Sequence, residues 1–167
     1  MTRLSLSFAL LVAACGPGSK GGPSMNNHVT TEPAVSTGGT SPVVSAEILT
    51  REPLANTAQV KHILISWADL ADNFQGHIDP RAAKRTKADA EEVVKSLLKQ
   101  IEGGGDFDAL MKAISEDRGS AASGRPFTVT PDAQLVIEFR QLSLRLKIGE
   151  VGVCQSDYGF HILKRFE

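Results

Sequence analysis

Several residue types are scarce in this 167-residue chain: two cysteines, one tryptophan, one tyrosine and four histidines, with 18 basic residues set against 19 acidic ones. With a formal net charge of -1 and a pI near 6.4, the chain has no excess of positive charge and few aromatic rings on which bases could stack. A nucleic-acid groove is therefore excluded. Apart from one N-terminal run, no apolar stretch approaches the roughly 20 residues needed to span a bilayer. The mature chain is expected not to cross a membrane.

The exception is the start, MTRLSLSFALLVAACGPGS, with one basic residue, Arg3, an apolar segment from Leu4 to Val12, and small residues ending at Cys15. That is the layout of a secretory signal with its cleavage site. VAAC resembles the lipobox of bacterial lipoproteins, which implies a signal peptide over 1–14 and a mature N-terminus at a lipidated Cys15. The competing reading is an ordinary cut near Ala14 with Cys15 incidental. Each acyl methylene contributes about 0.8 kcal/mol and stable anchoring takes more than one chain, which the lipoprotein resemblance implies. Gly16 in place of an aspartate leans, by analogy with enteric lipoproteins, toward an outer-membrane location facing the periplasm. Lipidation of Cys15 leaves Cys154 without a partner, so no intramolecular disulfide is expected and the domain stands on its own core.

Residues 15–56 read as the lipidated cysteine and a tether, rich in Gly, Ser, Thr and Pro, with an r.m.s. reach of roughly 35 Å. From residue 57 the pattern becomes that of a packed domain running to 167. Gln59 to Trp67 is short, apolar and β-branched, which predicts a strand with Val60, His62 and Leu64 on one face and Ile63, Ile65 and Trp67 on the other. Thr86 with Asp89 approximates a capping box ahead of a helix that Gly103 to Gly105 stop, and Asp106 is placed to cap a second, shorter one. A later segment carries Leu135, Phe139, Leu142 and Leu146 on one stripe. KIGE then turns into a strand from Val151 to Ser156, and SDYG turns into a last one from Phe160 to Phe166. The order predicts a compact α+β domain whose last two strands are antiparallel neighbours.

The tripeptide His-Ile-Leu occurs in the first strand and again in the last, at His62 and His161. A buried imidazole needs partners for both ring nitrogens. If the two strands are adjacent, each ring can serve the other, one as donor and one as acceptor.

These pieces, together with GGGDFDALMKAISED, RGSAASG and KIGEVGVCQSDYGFHILKR in this order, resemble the parvulin-type peptidyl-prolyl isomerases over essentially the whole domain. The resemblance implies a small antiparallel four-stranded sheet surrounded by about four helices, and rotation of X-Pro bonds as the activity. It implies that His62 and His161 are the two strand histidines, Asp117 the acid facing the substrate amide, and Ser156 the hydroxyl that completes their hydrogen-bonded cluster. Leu135 and Phe139, with Phe127, would grip the proline ring. No metal and no organic cofactor belongs to this chemistry. The implied partners are proline-containing, unfolded or partly folded exported polypeptides, met by a monomer held at the membrane through its lipid.

The chain departs from the family where RPFTVT follows SAASG, placing Arg125, Pro126 and Phe127 along one wall of the pocket and Thr130 where an aromatic is expected. An edge strand there still tolerates Pro126. The long connection at 68–85 carries Arg81, Lys84 and Arg85, a basic patch that in some relatives reads phosphate; diluted by Asp69, Asp72 and Asp79, it is expected to be a solvated connector, with His77 on the surface. Two other function classes compete with a tethered isomerase. One is a catalytically weak peptide-binding or chaperone module, and the other a metal site built from His62, His161, Asp117 and Cys154.

Overall fold

The computed structural model describes residues 40–167. In chain order the elements are helix α1 (Ala46–Leu49), strand β1 (Ala58–Ile65), helices α2 (Lys87–Glu102), α3 (Phe107–Ile114) and α4 (Arg118–Ser123), strand β2 (Phe127–Val129), helix α5 (Ile137–Arg145), and strands β3 (Val151–Ser156) and β4 (Gly159–Arg165). The strands form one antiparallel sheet in the order β2-β1-β4-β3, so the first strand lies beside the last. This is the α+β arrangement with a four-stranded sheet. Among the described residues no helix is long and apolar enough to cross a membrane.

Local chemistry sets the ends of the helices. Thr86 Oγ1 accepts the Asp89 N–H at 3.2 Å while the Asp89 carboxylate accepts the Thr86 N–H at 2.9 Å, a reciprocal cap that starts α2. Asp106 Oδ1 accepts the Ala109 N–H at 3.0 Å and starts α3. Gly159, the first residue of β4 after the turn from β3, has φ of +132°, and a Cβ there would lie 2.4 Å from the Ile65 carbonyl oxygen. No other residue fits that turn without moving β1.

Period-two alternation divides the core in two. Ile63, Ile65, Val153, Phe160 and Ile162 face α2 and α3, meeting Val94, Leu97, Phe107 and Met111. Val60, Cys154 and Leu163 face α5, meeting Phe139, Leu142 and Leu146.

Two expectations need correction. The packed body begins well before residue 57: Val43 is buried in the first core and Ile48 in the second. The Ser45 N–H donates to the Val153 carbonyl at 2.9 Å, and Ser45 Oγ accepts the Val153 N–H at 3.0 Å. Residues 41–48 thus clasp the outer edge of β3. Its unpaired backbone groups supply partners that a composition rich in small polar residues does not reveal. The signal segment, Cys15 and the first part of the tether lie outside the described residues.

The connection at 68–85 is not a solvated strand of chain either. It folds into two 3₁₀ segments, Ala68–Phe74 and Ala82–Lys84, and buries Phe74, Asp79 and Ala82. Phe74 packs edge-on against Tyr158 with ring centroids 5.5 Å apart, and the Asp79 carboxylate draws Arg81 and Arg118 over itself. His77 is exposed.

Candidate functional site

β1 and β4 pair in a register that sets Leu64 opposite His161 and His62 opposite Leu163. His62 and His161 therefore share the α5 face in adjacent rows, and both are fully buried. Their Nδ1 atoms stand 3.3 Å apart. His161 Nε2 lies 2.7 Å from Ser156 Oγ, and His62 Nε2 lies 3.0 Å from Asp117 Oδ2.

One proton arrangement satisfies every atom in this file. The His62 Nε2–H donates to the Asp117 carboxylate, the His161 Nδ1–H donates to His62 Nδ1, and the Ser156 hydroxyl donates to His161 Nε2. Ser156 Oγ in turn accepts the Tyr158 N–H at 3.1 Å. Burial and the neighbouring His62 push the His161 pKa well below its usual value, so that ring stays uncharged.

Asp117 is held by the segment before it. The Glu116 N–H donates to the Leu64 carbonyl at 3.0 Å and Ser115 Oγ accepts the Leu64 N–H at 3.1 Å, so this stretch is pinned to the end of β1. The Glu116 carboxylate accepts the Ser66 N–H at 2.6 Å. Arg85 Nη1 sits 2.7 Å from its other oxygen, a charge contact and not an aligned hydrogen bond. Burial pushes the Glu116 pKa up, opposed by that hydrogen bond and by Arg85.

The Asp117 side chain is largely buried, 15% exposed, and caps α4, with Oδ1 accepting the Ser120 N–H at 3.1 Å. Burial alone would raise its pKa; the hydrogen bond from His62 and those from Ser120 outweigh that and hold it down to about 2. Ser120, absent from the sequence-based set, places its Oγ 3.2 Å from His62 Nε2, next to the Asp117 carboxylate. Its signal was present as an Asp-x-x-Ser capping pattern.

The apolar members converge on the same rings. Phe139 is fully buried on α5, edge-on to His62 at 5.3 Å and to His161 at 5.7 Å. Phe127, on β2, is edge-on to His62 at 5.4 Å and to Phe139 at 5.6 Å. Leu135 lies just before α5 in the same cluster.

The basic residues of the 68–85 connection do not assemble into an anion site. Arg81 turns its guanidinium onto Asp79, with Nε 3.0 Å from Oδ1, and Arg85 turns inward to Glu116, leaving Lys84 exposed by itself. Cys154 is fully buried and desolvation drives its thiol pKa well up, which opposes thiolate ligation. Among the described residues no three His, Cys, Asp or Glu side chains converge on a point that a metal could occupy.

Known proteins share this framework. The foldase protein PrsA of Geobacillus kaustophilus is 29% identical over 122 residues, which cover 72% of this chain and 43% of the relative. The chaperone SurA of Pseudomonas aeruginosa is 37% identical over 106 residues, covering 63% of this chain and 22% of that protein. The chain thus spans less than half the length of either. Peptidyl-prolyl isomerase ESS1 from Candida albicans superimposes with a TM-score of 0.55 at 21% identity, over 67% of this chain and 63% of that one, which establishes a shared fold. The model of one family matches residues 46–167, taking in α1, the whole sheet and the Asp117–His62–His161–Ser156 file, and by that match the chain belongs to the PPIC-type PPIASE domain family.

Proposed function

We propose that this chain is a peptidyl-prolyl cis-trans isomerase that rotates X-Pro bonds in unfolded or partly folded exported polypeptides. The observation that carries the reading is the unbroken file Asp117–His62–His161–Ser156, which ends at a partly exposed carboxylate beside the apolar group Leu135, Phe139 and Phe127. Rotation about an amide is opposed by a barrier of about 18–20 kcal/mol because conjugation is broken in the twisted state. No bond needs to form to the protein. A pocket that holds the proline ring while a fixed field favours the twisted amide accelerates exchange by differential binding.

In this scheme Leu135 and Phe139 hold the ring. Asp117 sets the field at the amide, and the two histidines with Ser156 lock its orientation. Line-shape or exchange NMR on a panel of X-Pro peptides tests the proposal. Exchange well above the uncatalysed rate is expected, and peptide binding without exchange would instead establish a catalytically weak binding module. The second reading draws specific support from the RPFTVT departure, which puts Phe127 against the apolar group.

We further propose that residues 1–14 are a signal peptide, that Cys15 carries lipid, and that the segment up to about residue 40 tethers a monomeric domain to the outer membrane facing the periplasm. The VAAC motif and the composition after it support this. Mass spectrometry of the native protein should find an acylated cysteine at its N-terminus, and Cys15→Ser should release the protein from membranes; a native form that begins elsewhere and is not membrane-bound would defeat it.

A further inference from the structure

We infer that Phe127 is a displaceable plug on the proline pocket, a determinant of substrate affinity and selectivity and not a fixed wall of the pocket. The inference rests on the isomerase reading for the identity of the pocket. Phe139 is 0% exposed and Leu135 9% exposed, so neither offers free surface to a pyrrolidine ring. The side chain edge-on to both Phe139 and His62 is Phe127, itself partly exposed. Its ring lies on the surface that an incoming proline would have to take.

The backbone around Phe127 is built to let it move. β2 is three residues long and lies at the edge of the sheet, paired with β1 alone. Phe127 sits in the terminal pair of that ladder, opposite Val60, where fraying costs least. The residues before it, Arg125 and Pro126, are exposed, and Gly124 ahead of them ends α4 in the left-handed conformation at φ of +63°. A change of Phe127 rotamer clears the face of Phe139 without disturbing the core beneath.

Two consequences follow from competition for one surface. Apparent affinity is reduced by the fraction of time the plug is in place. The displaced ring also loses its aromatic partners, and the side chain next to the substrate proline is the surface on which it can pack again. An aromatic residue beside the proline therefore restores what displacement removes, which favours Phe-Pro over Ala-Pro peptides.

The test is steady-state exchange kinetics and NMR-titrated affinity on the wild-type protein and on Phe127→Ala, with Ala-Pro and Phe-Pro peptides. A fixed wall and a plug predict opposite signs. Removal of a plug lowers KM and Kd for the Ala-Pro peptide by about tenfold, the scale of the lost aromatic contacts, and narrows the Phe-Pro to Ala-Pro ratio. An unchanged or raised KM and Kd overturns the plug, and an unchanged ratio overturns its part in selectivity. If neither protein accelerates exchange while Phe127→Ala binds peptide more tightly, the isomerase reading falls and the plug stands. Should Phe127→Ala fail to fold, the wild-type protein decides. Nuclear Overhauser contacts between the Phe127 ring and the rings of His62 and Phe139 disappear at saturating peptide if the ring is displaced, and their persistence overturns the inference.

Discussion

The two faces of the sheet are equally dry and chemically opposite. Toward α2 and α3 the strands turn Ile63, Ile65, Val153, Phe160 and Ile162, all fully buried and all hydrocarbon. Toward α5 the same strands turn His62 and His161, also fully buried, one residue away from Ile63 and Ile162 in the chain. Burial of hydrocarbon is non-directional, so the first face depends on volume and area. The second depends on direction, because each imidazole nitrogen stays satisfied only while its neighbour in the file is present. The first face can therefore lose shape by degrees, whereas the second fails when one member is removed.

Substitutions that act on one face at a time test this division. Ile162→Ala should have the largest effect on stability, about 2–5 kcal/mol by chemical denaturation, while the folded fraction keeps its turnover on X-Pro peptides. A parallel loss of turnover would show that the two faces are mechanically coupled. His161→Leu nearly preserves volume and leaves His62 Nδ1 and Ser156 Oγ without their partner. A loss of about 1–3 kcal/mol is expected together with a fall in kcat, and a stability loss with normal kcat would remove the file from the mechanism.

Asp117→Ala should remove the α4 cap, worth about 0.5–2 kcal/mol, and lower kcat. Asp117→Asn keeps a capping oxygen, so the melting temperature should recover while kcat stays low; recovery of both would mean the carboxylate charge is not used. His161 and Asp117 each leave a pH signature. His161 is held well below 6.5, so the unfolded chain takes up a proton that the folded one refuses, and stability falls as pH drops through about 6.5. Asp117 is held at about 2 against an ordinary 3.8, so its contribution is intact above 3.8 and is lost as pH falls toward 2. Melting curves across that range should show the lower loss in the wild type and reduce it in Asp117→Asn. The smallest effect is expected for Ser120→Ala, about 0.5 kcal/mol, seen chiefly as a shift in the pH profile of kcat because its hydroxyl borders both His62 Nε2 and Asp117.

Several features of the fold could be read from short stretches. The reciprocal cap at Thr86 and Asp89, the cap at Asp106 and the alternation along β1 each involve residues a few positions apart, and the structure has them where the pattern puts them. The repeated His-Ile-Leu pointed to adjacent strands, since two buried rings with spare nitrogens are least costly together. The burial of Asp117 was not legible, because it follows from Ser115 and Glu116 being pinned to Leu64 and Ser66 about fifty residues earlier in the chain. Nor was the fate of Arg81 and Arg85. As a local cluster they read as a basic surface, and only the folded chain buries Asp79 and brings Glu116 beneath them.

Strands β1, β3 and β4, helices α2 and α3 with their caps, and the face on which each histidine lies were legible locally, because these depend on backbone geometry repeating every two or 3.6 residues. Only the folded chain settles what touches what across it. His62 meets Asp117 at a separation of 55 residues and His161 at 99, and Ser45 meets Val153 at 108. It also set the Phe127 ring over Phe139 and drew residues 41–48 onto the edge of β3. Such contacts carry no local period. They are selected together, by whether every buried polar atom finds a partner and every apolar surface a neighbour when the whole sheet closes.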